Sequence, residues 1–296
     1  MASAELERLR MQLTAVPFDA AQSLTDARAG IDALGDSYAV PDGVKIESTE
    51  LGGTPAERLT FDDNGPVVLY LHGGGYVIGS PKSHRHVTGL LAQLIKGVVI
   101  ALDYRLAPEA PFPAALDDAL RAFRELVGVS PPKRCAIVGD SAGGGLTFST
   151  LVAAHESGLA MPACAVGISP WVNLNTDSAS YDRLAAHDPV LSREVVEYFA
   201  PRYAGNRNRN DPRLSPLFAK LDGLPPTLIQ IGDRECFLGD AVGMHEALIA
   251  AGVDTEIAIW KEMFHVWHLH WPVLREGRDA VSEAAAFIMR RTAISP

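Results

Sequence analysis

The sequence predicts an α/β fold in which helices flank both faces of a mostly parallel sheet. Short apolar, β-branched runs recur at 45–52, 56–62, 67–72, 97–103, 134–139, 163–169, 226–232 and 254–260. From residue 67 onward the runs are continuously apolar rather than alternating, best seen in Val67-Val-Leu-Tyr-Leu71 and Val98-Val-Ile-Ala-Leu102. Such strands suit a parallel sheet covered on both sides. Helical periodicity fills the gaps, and strand–helix alternation over most of a chain implies right-handed crossovers.

Residues 1–40 precede the first run and carry helical patterns, with Leu6, Leu9, Leu13 and Val16 on one face. The run at 67–72 ends in His72-Gly-Gly-Gly75. After the run at 97–103, Leu116, Ala119, Leu120 and Phe123 mark a helix by their i, i+3, i+4, i+7 spacing. The run at 134–139 leads into Gly139-Asp-Ser-Ala-Gly143, and a helix begins near Ala142. Residues 172–210 lie between two strands but are far longer than one connection needs. They hold a loop and a helical stretch near 190–204. Both irregular segments are expected to pack together as a cap over the carboxyl edge of the sheet. Val281, Ala284, Ala285 and Ile288 share one face of a last helix, which Pro272 is placed to start. The division that follows is 1–42 as the N-terminal part of the cap, 43–171 as core, 172–210 as cap insertion and 211–296 as core again.

Composition narrows the function classes. The 296 residues are 47% hydrophobic and 21% charged, enough to bury a core, so disorder is excluded. A net charge of −10 gives no basic face for phosphates, and no nucleic-acid partner is expected. The stretch from Arg202 to Arg213 is broken by Asn, Asp and Pro and reads as solvated surface. No run approaches the roughly 18 apolar residues of a membrane span, and the charged N-terminus lacks the apolar segment of a signal peptide. A cytoplasmic protein without stable membrane anchoring is expected. Cys135, Cys164 and Cys236 are odd in number, far apart and without a CxxC pair. They argue against a disulfide framework and against a zinc site.

The residues that carry chemistry cluster at strand ends. Gly139-Asp-Ser-Ala-Gly143 fits G-x-S-x-G, and its strand–turn–helix setting is what a nucleophile elbow needs. Its glycines let strand and helix approach closely around a strained serine. A Walker-type phosphate loop would require Gly-Lys-Ser/Thr, which is absent. His72-Gly-Gly-Gly75 exposes backbone N–H groups that can hold the oxyanion of a tetrahedral intermediate. Of nine histidines, His265 comes first after the last strand, across the loop Lys261-Glu-Met-Phe264, where this arrangement places its base; His268 and His270 are close rivals. Packing or surface roles suffice for His84, His86, His155, His187 and His245. An acid to orient His265 should follow the strand ending near Ile231, and Asp233, Glu235 and Asp240 all qualify.

These residues resemble the bacterial hormone-sensitive-lipase-like esterases, the family IV lipolytic enzymes. The resemblance spans nearly the whole chain. It rests on His72-Gly-Gly-Gly75, Asp103-Tyr-Arg-Leu-Ala-Pro-Glu109, Gly139-Asp-Ser-Ala-Gly143, Asp211-Pro-Arg-Leu-Ser-Pro216 and the Phe264-His265 turn. It implies an eight-stranded α/β-hydrolase sheet whose second strand is antiparallel, a helical cap, and a serine carboxylesterase acting on small-molecule esters with short acyl chains. Ser141 would be the nucleophile and His265 the base, with the N–H groups of Gly74, Gly75 and Ala142 as the oxyanion hole. Glu109 would brace that region. The sequence departs from the family at the acid, where members show Asp followed by Pro-Leu and Arg234 stands between Asp233 and Glu235. Glu235 meets the family's spacing to the histidine without a gap, whereas Asp233 needs a two-residue shift, so Glu235 is taken as the acid. Trp171, Tyr198 and Phe199 are candidates to line the pocket from the cap. No metal or organic cofactor is needed by this chemistry. A homodimer paired through the last strand, Thr255–Trp260, is also implied. An amidase or peptidase on the same core, or a non-catalytic receptor, are the alternatives.

Overall fold

The computed structural model describes residues 3–16 and 18–292. Eight strands form one sheet: β1 (Lys45–Leu51), β2 (Thr54–Thr60), β3 (Val67–Leu71), β4 (Val98–Leu102), β5 (Cys135–Asp140), β6 (Cys164–Ile168), β7 (Thr227–Gly232) and β8 (Thr255–Trp260). Their order is β1-β2-β4-β3-β5-β6-β7-β8. β2 is antiparallel to both neighbours, and β3 to β8 run parallel. Each expected run is a strand, with ends shifted by at most two residues. β3 to β7 are buried throughout, which is why their sequences do not alternate; β1 and β8 lie at the two edges and carry the polar residues.

Successive side chains of the central strands feed two cores. Leu69, Ile137 and Ile229 face α4 (Ala114–Val129), α5 (Ala142–Glu156) and α8 (Leu238–Ala250). Val68, Tyr70, Val138 and Val166 face α3 (Pro81–Leu94) and α9 (Arg275–Arg291). The first helix, α1 (Ala4–Thr14), is capped by Ser3 and buries Leu6 and Leu9 against Met263, Phe264, Trp267 and Leu274. It therefore packs on the segment that follows β8. Val16 does not share that face, because α1 ends at Thr14 and Val16 is 79% exposed beyond it.

α2 (Leu24–Asp36) lies close on α3, where a Cβ at Gly35 would stand 2.3 Å from the Lys82 carbonyl oxygen. The long connection after β6 contains α6 (Ser180–Leu184) and α7 (Arg193–Ala204). Phe18 meets α7 edge-on, its ring 5.0 Å from Tyr198 and 5.9 Å from Phe199. Pro272 does not start the last helix. The chain keeps turning through Trp267–His270 and the bond from Leu274 N–H to the His270 carbonyl, and α9 begins only at Arg275. Among the described residues no helix is long and apolar enough to cross a membrane, and Cys135, Cys164 and Cys236 are buried free thiols.

Candidate active site

The chain leaves β5 at Asp140 and enters α5 at Ala142, so Ser141 must make the whole turn alone. It does so with φ of +52°, a strained value for a residue with a side chain. The tightness is enforced from below: a Cβ at Gly143 would lie 1.9 Å from the Leu71 carbonyl oxygen, and one at Gly139 would lie 2.2 Å from that of Gly143. The serine N–H is anchored on the Ile168 carbonyl at 2.9 Å. Its side chain is thereby held up from the sheet.

Ser141 Oγ lies 2.8 Å from His265 Nε2, and His265 Nδ1 lies 2.9 Å from Glu235 Oε2. Glu235 is fully buried and its other oxygen accepts from Gly232 N–H at 2.6 Å and Ser169 Oγ at 2.7 Å. Ser169 Oγ in turn accepts from Val266 N–H at 3.1 Å, which ties the acid to the histidine loop. The sequence reading missed Ser169; its signal is a hydroxyl ending the apolar run Cys164-Ala-Val-Gly-Ile168. Burial resists a charge on His265, but the Glu235 bond and charge outweigh it and raise its pKa above the ordinary value.

The rivals lie elsewhere. Asp233 Oδ1 accepts from Glu262 N–H at 2.7 Å and stands 3.5 Å from Arg234 Nε. Asp240 accepts from Asn173 Nδ2, and burial pushes its carboxyl up to about 7. His268 Nε2 meets Gln230 Oε1 at 3.0 Å, and burial lowers its pKa to about 3. His270 is likewise buried, with a pKa lowered to about 4.

Across from the serine, Gly74 and Gly75 adopt φ of +115° and +62°. A Cβ at Gly75 would stand 2.5 Å from the Phe199 ring, so only glycine fits. Among the described residues, the N–H groups of Gly74, Gly75 and Ala142 donate to no protein acceptor. The loop is braced behind: His72 stacks on Tyr104 at 4.2 Å, Tyr104 OH donates to the His72 carbonyl at 2.6 Å, and Gly73 N–H donates to Asp140 Oδ1 at 3.1 Å. Glu109 reaches it only through Arg28, which binds the carboxylate at 2.8 Å and donates to the Val77 and Ala107 carbonyls.

A cavity of about 550 Å³ opens over Ser141 and His265. Trp171, Tyr198 and Phe199 line it from above, with Phe18, Leu24 and Val195 continuing a largely apolar wall. Among the described residues no group of three His, Cys, Asp or Glu side chains is placed to hold a metal ion. The arrangement can move a proton from a hydroxyl to a buried, carboxylate-backed imidazole beside unpaired backbone donors.

Residues 68–269 match the model of a family described by its alpha/beta hydrolase fold. An acetyl-hydrolase of Streptomyces hygroscopicus is 43% identical over 230 residues, 77% of each chain. A crystal structure of an esterase from the bacterial hormone-sensitive lipase family superposes with a TM-score of 0.94 at 38% identity, covering 99% of both chains. The crystal structure of EstE5 soaked with p-nitrophenyl butyrate superposes equally well, with a TM-score of 0.94 at 36% identity over 99% of this chain and all of that one. With this fold and these relatives, the chain belongs to the hormone-sensitive-lipase-like esterases of the alpha/beta hydrolase fold and is a carboxylic ester hydrolase.

Proposed function

We propose that this esterase is a serine carboxylesterase that cleaves short-chain acyl esters through an acyl-enzyme. The observation that carries the reading is the unbroken line Ser141–His265–Glu235 at hydrogen-bond distance beneath an apolar cavity. Ser141 Oγ attacks the ester carbonyl carbon while His265 Nε2 takes its proton. The N–H groups of Gly74, Gly75 and Ala142 receive the oxyanion. Glu235 fixes the ring and stabilises its imidazolium. His265 then protonates the leaving alcohol as the acyl-enzyme forms. Water attacks the acyl carbon in the second half, again with His265 as base, and Ser141 is returned.

The modest cavity, lined by Trp171 and Phe199, supports a preference for short acyl groups, as does the butyrate ester used with the similar solved structure. In this reading residues 1–42 and 172–210 form the cap, and 43–171 with 211–296 form the core. The three buried thiols suit the reducing cytoplasm. The chain pairs with a second copy through β8.

The test is Ser141→Ala together with active-site labelling. The substitution is expected to lower kcat on the order of 10⁶-fold, as for a residue acting within a triad. An organophosphate is expected to label Ser141 alone. Loss of activity with the label on another serine overturns the assignment. A panel of esters of rising acyl length, with one amide, reads specificity; amide cleavage at a comparable rate would make the enzyme an amidase.

A further inference from the structure

Behind Ser141 lies a buried polar cluster that the reaction scheme leaves unused. The Asp140 side chain is 2% exposed and that of His84 is 1% exposed. Asp140 Oδ1 accepts from Tyr70 OH at 2.8 Å and from Gly73 N–H at 3.1 Å. Asp140 Oδ2 faces His84 Nε2 at 3.3 Å. Gly73 N–H is also 3.4 Å from His84 Nε2, but the carboxylate oxygen is nearer and the stronger acceptor, which leaves Nε2 to donate. The other ring nitrogen, Nδ1, is 2.8 Å from Ser83 Oγ. Ser83 Oγ also lies 2.8 Å from the Ser80 carbonyl and accepts from Ser80 N–H at 3.0 Å, which ties the ring to the start of α3. Each nitrogen of His84 is therefore held, Nε2 by the carboxylate and Nδ1 by the hydroxyl.

A carboxylate taken out of water is costly unless a counter-charge meets it. Tyr70 faces Asp140 as a neutral phenol, its pKa pushed well up by burial. His72 also faces the cluster, its ring 5.6 Å from that of His84, but burial and His84 lower its pKa to about 3 and keep it neutral. His265 and His268 act on Asp140 without bonding to it. Among the described residues the side chains that bond to Asp140 are Tyr70 and His84. Burial alone would raise the Asp140 carboxyl; the charge and bond of His84, with the Tyr70 bond, lower it below the usual range.

We propose that His84 is a positioning residue for ester hydrolysis: its Nε2 donates to Asp140, and through that carboxylate it fixes the Gly73–Gly75 donors against Ser141. The pair also removes a conflict. Asp140 is next to the serine, and its carboxylate, left uncompensated, would repel the oxyanion that forms there. A Cβ at Gly73 would stand 2.2 Å from Asp140 Oδ2, so the loop and the carboxylate have no slack between them. Through Ser83 and Ser80 the chain of bonds continues to Asp32 of α2, 2.5 Å from Ser80 Oγ. The inference rests on the serine reading above.

The experiment uses the full chain with ¹⁵N-labelled histidine. In the wild-type protein His84, assigned through its contacts with Ser83 and Tyr70, is expected to carry a proton on Nε2 that is hydrogen-bonded to Asp140. His84→Gln is expected to lower kcat roughly 10²-fold, as loss of oxyanion stabilisation does, with KM changed by less than about threefold. His84→Gln combined with Asp140→Asn removes the stranded charge and is expected to recover about tenfold in kcat over the single variant. A wild-type ring with no proton on Nε2, or a double variant no faster than His84→Gln, overturns the proposal. Where the variants fail to fold, the wild-type spectrum decides alone. The two readings fail separately: an active Ser141→Ala would sink the nucleophile and leave the His84 Nε2 bond to Asp140 in place.

Discussion

Asp233, Glu235 and Asp240 all follow β7, yet a single carboxylate touches His265 Nδ1. Strand parity could not choose between 233 and 235, which share a face. Their contacts differ: Glu235 meets His265 Nδ1, whereas Asp233 meets Glu262 N–H and Arg234. Glu235→Gln is expected to cut kcat by a factor of roughly 10⁴, the scale of a lost or reversed tautomer. It should also move the pH profile. His265 must be neutral to act as base, and its pKa stands above the ordinary His value of about 6.5. The acid limb of kcat/KM therefore lies above that value in the wild type and shifts to lower pH in Glu235→Gln, where the raising partner is gone. Asp233→Asn should keep at least a tenth of the activity, by about one factor of ten in rate, and leave the limb in place. The reverse pattern across the two variants would move the acid to Asp233. Ser141 and the glycine run were legible in the sequence because each directly follows a strand end, and His265 because it comes first among the histidines after β8. Ser169 and His84 were not, because what defines them is a contact with Glu235 or Asp140, far along the chain.

At the scale of elements, α7 lines the cavity over Ser141. Phe199 packs on Phe18 and Tyr198 and fills the room that a side chain at Gly75 would need. In the proposed reading a helix from the long insertion sets acyl specificity. Phe199→Ala is expected to open the cavity beside Gly75 and raise the ratio of kcat/KM for octanoate over butyrate p-nitrophenyl esters. It should cost about 2–4 kcal/mol of stability, near the lower range for a buried ring. Thermal unfolding and the two rate constants measure both effects, and an unchanged ratio would remove Phe199 from the acyl wall. The central strands β3 to β7 were readable within two residues because strands buried on both faces are largely apolar along their length. The end of α1 and the start of α9 were not. Both are decided by tertiary packing: α1 stops where its contacts with Phe264 and Trp267 stop, and the turn at Trp267–His270 delays α9 past Pro272.

The whole sheet has two free edges, and they differ in chemistry. β1 presents Lys45 and Glu47 as an ion pair and is exposed over most of its length, a charged edge that discourages pairing. Among the described residues β8 bonds only to β7, and it carries Ile257, Ile259 and Trp260, with Ile259 52% exposed. Its one acidic side chain, Glu256, is drawn toward α9 by Arg290 and Arg291. An apolar edge with its charge turned aside suits antiparallel pairing with the same edge of a second copy about a two-fold axis. Light scattering at micromolar concentration is expected to give twice the chain mass of 31.7 kDa, and Ile259→Lys, which puts charges face to face across the axis, is expected to give the monomer. The variant should retain kcat, because Ser141, His265 and Glu235 come from one chain. Its loss should appear in Tm, since β8 directly precedes the loop that carries His265 and an unpaired edge frays first. The wild-type Tm should rise with protein concentration and that of Ile259→Lys should not, as mass action requires of a folded dimer. A wild-type protein that scatters as a monomer, with a Tm independent of concentration, would leave β8 a bare edge and refute the pairing.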